Sequence, residues 1–232
     1  MPLTRSFASL LRTPIKEKVD FTLYLIADQR GYWSEELFMS KIKETVKGGA
    51  SCVQYRDYQS HFNETLRTAM RLKELLKEVP LFINGPRSFE IAKAVNAAGV
   101  FLEEPDMIDA ARQHLGEKAW IGTTIKKAQD LYNMNANADY YSIKISPSKT
   151  CTKNMHIWDK EDLKKALEIS LRPILAVGGL TVDTVEEVYK LLHPPHGLAL
   201  SGGILETESP YNASRKIREI SERIRNLQCS YH

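Results

Sequence analysis

Eight short apolar runs punctuate the chain: LYLIAD from Leu23, SCVQYR from Ser51, PLFING from Pro80, VFLEE from Val100, AWIGTT from Ala119, YYSIKIS from Tyr140, PILAVGG from Pro173 and GLALSGG from Gly197. Each is strand-sized, and most are rich in the β-branched and aromatic side chains that suit a pleated, buried surface. The stretches between them read as amphipathic helices. Leu37, Ile42 and Val46 fall at helical spacing among charges, and Leu66, Met70, Leu72, Leu75 and Leu76 do so more densely, so both sets are predicted to face inward. After the seventh run, TVDTVEEVYKLL offers Thr181 and Asp183 as N-caps and places Val185, Val188 and Leu192 on one face.

Runs that are apolar almost throughout, rather than alternating, belong in a parallel sheet covered on both sides, and strict β-then-α order requires crossover connections. An open, doubly wound sheet competes with a closed one, because hydrophobic pattern does not report closure. Eight units in 232 residues favour the closed form, a single (βα)8 TIM barrel, whose usual size is about 250 residues. No linker rich in Gly, Pro or Ser interrupts the pattern, so residues 21–232 are expected to form one barrel domain and residues 1–20 an N-terminal arm or helix. The opening MPLTRSFASLLRTPIKEKV carries three basic residues before any acid, but its apolar stretch is short and is broken by Arg12 and Pro14, which argues against a cleaved signal.

Composition narrows the function classes. With 43% hydrophobic and 26% charged residues the chain can build a core. Thirty-two basic against 29 acidic residues leave a formal charge of +3, too little for a global field toward nucleic acid or an anionic membrane. Any anion must be held locally. No run approaches the roughly 20 apolar residues of a membrane span. Cys52, Cys151 and Cys229 form neither a metal-like spacing nor an even disulfide set, which points to a reducing cytoplasm, with Cys52 read as a small core residue.

Barrel active sites lie at the C-terminal ends of the strands, so the polar residues closing each run are the candidates. They are Asp28; Gln54 and Arg56; Asn84; Glu103, Glu104 and Asp106; Thr123 and Thr124; Lys144, Ser146, Lys149 and Lys153; Gly178 and Gly179; and Ser201, Gly202 and Gly203. Strand ends are also polar simply because they meet water. The two glycine pairs stand at the last two strand ends, where barrels build phosphate sites from open backbone N–H groups, although a lone pair could serve only a tight turn. Lys144, Lys149 and Lys153 with Arg56 could hold a second anion, or SPSKTCTKN could be a solvated loop. Asp106 is a natural ligand for Mg²⁺ beside phosphate oxygens, or else the N-cap of the helix that begins MIDAARQHL. No histidine stands at a strand end, so the residues suit electrostatic stabilisation of an anionic leaving group rather than acid–base chemistry by histidine.

In order, these strand ends resemble the thiamine phosphate synthase family, related to the thiazole tautomerases, over about Leu23 to Leu205. LYLIAD, GGASCVQYRD, LFIN, GVFLEEPD, ARQHLGEKAWIGTT, ADYYSIKISPSKTCTK, PILAVGGL and GLALSGGI carry the resemblance. It implies a transferase that joins an aminopyrimidine diphosphate to a thiazole phosphate with Mg²⁺, by departure of diphosphate and attack of the thiazole nitrogen on the pyrimidine cation left behind. It implies that Gln54 holds the pyrimidine, that Arg56, Asn84 and Lys153 hold the diphosphate, and that Thr124 stands near the reacting pyrimidine. Thr150 and Thr152 would lie near the thiazole, with Gly178, Gly179, Ser201 and Gly202 at its phosphate. Asp106 would bind Mg²⁺, with Glu103 or Glu104 as a further carboxylate. Partners are then phosphorylated small molecules, with a homodimer left open.

The chain departs from the family pattern where the HLGQxD motif reads Phe101-Leu102-Glu103-Glu104-Pro105-Asp106, and at three further positions. Gly85 stands where a second metal-binding aspartate is usual, Tyr58 where a lysine is usual, and Lys126 at the position of the tautomerase histidine. Two other readings therefore stay open: a regulatory relative that binds a thiazole or thiamine phosphate without turnover, and a sugar-phosphate isomerase or epimerase, for which no acid–base pair is identified.

Overall fold

The computed structural model describes residues 18–29, 34–132, 136–145, 160–191 and 195–229. Eight strands, β1 Leu23–Asp28, β2 Cys52–Arg56, β3 Leu81–Asn84, β4 Gly99–Leu102, β5 Trp120–Ile125, β6 Tyr140–Lys144, β7 Ile174–Val177 and β8 Gly197–Leu200, pair in sequence order into a closed barrel. All pairings are parallel, and β1 closes the ring by pairing β8 with Leu23 opposite Leu198. The (βα)8 barrel is therefore the fold, and the open sheet is excluded by that last ladder. Helices α1 Glu35–Lys47, α2 Phe62–Leu76, α3 Ser88–Ala94, α4 Ile108–Leu115, α5 Lys160–Ile169, α6 Val185–Leu191, the short α7 Gly202–Leu205 and α8 Pro210–Cys229 complete the chain. No helix among the described residues is long and apolar enough to cross a membrane.

Strand alternation divides the core in two. One set of side chains, including Leu23, Leu25, Val53, Leu81 and Ile83, faces outward and packs against the helices. The other, Phe21, Tyr24, Cys52, Phe82, Phe101, Tyr140, Leu175 and Ala199, fills the barrel interior. Cys52 is fully buried there, as expected. The filling is aromatic where such barrels more often use branched aliphatics. Tyr140 needs the space that Gly122 leaves, since a Cβ at Gly122 would lie 2.2 Å from the Tyr140 ring.

The helix faces correct two expectations. Leu37 and Met70 are half exposed. The stripe that α1 buries is Phe38, Met39, Ile42 and Thr45, and that of α2 is Thr65, Thr68, Ala69, Leu72 and Leu76. Small residues at Thr65, Thr68 and Ala69 let α2 approach the strands closely, and the longer side chains flank the contact. At the start of α6, Thr184 Oγ1 accepts from the Thr181 N–H at 2.9 Å, so Thr181 begins the helical turn and the exposed Asp183 takes no part.

A buried ion pair ties the outer layer to the strands below the β5–β6 connection. Arg112 of α4 donates to the carbonyls of Gly116, Ala119 and Asn137 and, at 2.6 Å, to Asp139 Oδ2, which also accepts from the Ile121 N–H. Both side chains are at least nine-tenths buried. Removing one partner leaves the other as an uncompensated buried charge. Arg112→Ala is expected to cost about 3–5 kcal/mol of folding free energy, read by urea unfolding.

Candidate functional site

The strand C-termini open on two adjoining cavities. One, of about 740 Å³, is bounded by Gly178, Gly179, Ser201, Gly202 and Gly203 on one side and by Asp28 and Arg56 on the other. The second is a slot of about 210 Å³ running into the barrel between Gln54, Phe101, Thr124, Tyr140, Ser142 and Lys144. Ile26, Arg56, Val177 and Ala199 line both, so the two share a wall. The glycine rim and Arg56 thus face one space.

The glycine end is shaped by two residues with positive φ, of which Gly178 admits no side chain. Gly178 has φ +126°, and a Cβ there would stand 2.3 Å from the Ile145 carbonyl oxygen; Gly179 has φ +54°. Ser201 precedes α7, and its carbonyl accepts from the Ile204 and Leu205 N–H groups at 3.0 Å, which leaves the Gly202 and Gly203 N–H groups without a described acceptor. These donors can hold a phosphate. The Glu206 carboxylate lies close over Gly202, so an anion entering the cradle meets a negative neighbour.

On the opposite side the Arg56 guanidinium lies between two carboxylates, with Nε 3.8 Å from Asp28 Oδ2 and Nη2 3.5 Å from Glu103 Oε1, and it stands 5.5 Å over the Tyr58 ring. Its Nε is buried and hydrogen-bonded to none of the described residues. Asn84, 2% exposed, donates to the Phe101 carbonyl at 2.8 Å and to the Tyr58 hydroxyl at 3.4 Å, while its Oδ1 is buried without a described partner. Thr124 Oγ1 lies 3.1 Å from Ser142 Oγ, its register partner on β6. Thr123 points the other way, donates to the Leu102 carbonyl and belongs to the scaffold.

Glu104 and Asp106 are exposed beside the mouth. Asp106 sits inside the short 3₁₀ turn Pro105–Met107, and α4 has Met107 at its N-cap, so the reading of Asp106 as a helix cap does not hold. Its carboxylate is not spent on a helix end. Ser146, Lys149, Thr150, Thr152 and Lys153 lie outside the described residues, as does residue 1–17 of the expected N-terminal arm.

Between Arg56 and Tyr58, Asp57 faces away from the mouth. Burial pushes its carboxyl up, but the N–H groups of Ser60 and Gln59 and the Tyr55 hydroxyl outweigh this and hold it below the usual carboxylate range. Asp57 therefore spends its charge folding the loop that carries Arg56. The strand-end reading passed over Ile26, Ser142, Tyr24 and Tyr140, which line the slot as inward-facing members of their strands. Alternation from Gln54 and Thr124 across the paired strands is the signal that finds them.

A sequence model described as thiamine monophosphate synthase matches residues 23–200. The thiamine-phosphate synthase of Vibrio campbellii is 32% identical over 203 residues, which is 84% of this chain and 95% of that protein. The corresponding enzyme of Persephonella marina is 27% identical over 91% of this chain and 97% of its own length. Among solved structures, thiamine phosphate pyrophosphorylase from Pyrococcus furiosus superposes with a TM-score of 0.75 at 25% identity, covering 88% of this chain and 97% of that one. The tryptophan synthase alpha subunit of Legionella pneumophila, at 14% identity and a TM-score of 0.65, shares the fold.

The geometry explains why position 85 is not an aspartate. Gly85 has φ +140°, and a Cβ there would stand 2.1 Å from the Asp57 carbonyl oxygen. Gly85→Asp is therefore expected to destabilise the fold by at least about 1–3 kcal/mol, by forcing an unfavourable backbone or moving the Arg56 loop. Urea unfolding reads the loss, and a Mg²⁺ titration of the same variant should show no tighter metal response.

Proposed function

Since the chain belongs to the thiamine monophosphate synthase family, we propose that it is the transferase that joins 4-amino-2-methyl-5-hydroxymethylpyrimidine diphosphate to 4-methyl-5-hydroxyethylthiazole phosphate and releases pyrophosphate. The observation that carries this reading is that the two adjoining cavities share Arg56 in their lining, which would let two phosphorylated compounds lie side by side. The glycine cradle suits the thiazole phosphate, and the slot lined by Gln54, Phe101 and Tyr140 suits a planar pyrimidine. Curated relatives matched along nearly the whole chain are synthases, so the non-catalytic reading is not favoured. For the isomerase reading no acid–base pair is identified among the described residues of the rim.

In this mechanism the bond between the pyrimidine methylene carbon and its diphosphate oxygen breaks first, and the electron pair leaves with the diphosphate. Arg56 faces that departing charge, and Lys153, which lies outside the described residues, is the further cation that the family resemblance assigns to it. Preorganised cations of this kind stabilise developing charge without reorganising at the moment of reaction. Gln54 and Thr124 hold the pyrimidine cation, and the aromatic slot shields it from water until the thiazole nitrogen forms the new C–N bond.

Mg²⁺ is the expected cofactor. Among the described residues no three His, Cys, Asp or Glu groups converge, but Mg²⁺ at a phosphate site needs only one or two carboxylates alongside phosphate oxygens and water. The partnerless Asn84 Oδ1 and the carboxylates of Asp106 and Glu103 are hard oxygen donors of the right kind, so the residues fit. Bound there, Mg²⁺ would neutralise charge on the leaving diphosphate.

The purified protein should release pyrophosphate only when both substrates and Mg²⁺ are present. Arg56→Ala is expected to lower kcat/KM by about 10²–10³-fold, in line with loss of one charge-stabilising group. Asp106→Ala should shift the Mg²⁺ titration to higher concentration. No pyrophosphate from the unaltered protein with all components present would overturn the assignment.

A further inference from the structure

Below the mouth, three buried polar side chains form a chain of hydrogen bonds. Tyr24 OH donates to Gln54 Oε1 at 3.1 Å, and the Tyr24 and Tyr140 hydroxyls lie 3.0 Å apart. Tyr24 and Tyr140 are at most 1% exposed and Gln54 is 3% exposed. A tyrosine hydroxyl has one proton to give. Tyr24 spends its proton on Gln54, so its oxygen accepts from Tyr140, and the order Tyr140 to Tyr24 to Gln54 is the one that satisfies all three groups.

Burial pushes both hydroxyls well above the ordinary tyrosine range, so neither tyrosine loses its proton near neutral pH. The rings are clamped as well: Tyr24 lies 5.4 Å from Phe82 and 6.2 Å from Phe21, and Tyr140 meets Phe82 edge-on at 5.6 Å. With its oxygen occupied, Gln54, which lines the slot, is left with an NH₂ that donates to no described residue.

We infer that Tyr24 and Tyr140 are positioning residues that set which end of the Gln54 amide faces the ligand, and so make the slot select a ring that presents a hydrogen-bond acceptor. An amide free to turn would offer a donor or an acceptor and would discriminate little. A site built to pair one polar atom rejects ligands that leave it unpaired. The identity of that ring as the pyrimidine rests on the function proposed above, whereas the orientation of the amide does not.

The test uses Tyr24→Phe, Tyr140→Phe and Gln54→Ala in the full chain, with two readouts. In the ligand-free protein, the Gln54 side-chain amide resonances, assigned by their loss in Gln54→Ala, should shift in Tyr24→Phe. In turnover, Tyr24→Phe should raise KM for the pyrimidine diphosphate about three- to tenfold, the worth of one hydrogen bond, and leave KM for the thiazole phosphate unchanged. Tyr140→Phe should act in the same direction, and Tyr24→Phe should add nothing once Gln54 is alanine. Unmoved amide resonances would overturn the inference whether or not the protein turns over. Equal changes in both KM values, or additive losses with Gln54→Ala, would reduce the tyrosines to packing. Shifted resonances in a protein that releases no pyrophosphate would support the relay while removing the proposed reaction.

Discussion

The ladder between β1 and β8 is the contact on which the rest of the site depends. Leu23, Tyr24 and Leu25 pair with Leu198, Ala199 and Leu200, while the same strand pairs β2 on its other edge from Tyr24 to Asp28. Because β1 touches both, Arg56 at the end of β2 and the glycines after β7 and β8 are brought to one rim although over a hundred residues separate them in sequence. In an open sheet those groups could stand on opposite edges. Closure therefore does for the chemistry what no local motif could do, and it is stabilised by aromatic rings that fill the interior to native density.

The electrostatics at the rim follow from that closure. Arg56 meets Asp28 and Glu103 at 3.5–3.8 Å, in partly exposed pairs that are individually weak. A diphosphate with more charge and better geometry can displace Glu103 at small cost, and the guanidinium Nε has no bond to give up. The glycine end works through backbone N–H groups instead, and these cannot titrate or swing away. Under the proposed function, two anions would be met by two different devices, one a cation held between carboxylates and the other a backbone cradle.

Much of this was legible in the chain. The eight apolar runs became eight strands because residues buried on both faces need no alternation to declare themselves, and Gly178 marked a tight backbone approach at the rim, since its φ of +126° and the Ile145 carbonyl leave no room for a side chain. Helix faces were less legible: Met70 sits at helical spacing with Leu66, yet α2 buries Thr65, Thr68 and Ala69, since close approach to the strands rewards small side chains over apolar ones. Gly85 read as a missing ligand, and only the carbonyl of Asp57 beside it shows that no side chain fits. Tyr24 and Tyr140 pack as core aromatics. Their link to Gln54 depends on barrel register, a long-range property that single runs do not encode.

The central claim is that one rim accommodates two anions at the same time. Calorimetry with Mg²⁺ and inorganic pyrophosphate, run with and without saturating thiazole phosphate, measures this directly. The account predicts that pyrophosphate binds in both titrations with one-to-one stoichiometry, and that Arg56→Ala weakens pyrophosphate binding while leaving thiazole phosphate binding intact. Mutual exclusion of the two ligands, or pyrophosphate binding indifferent to Arg56, would contradict it.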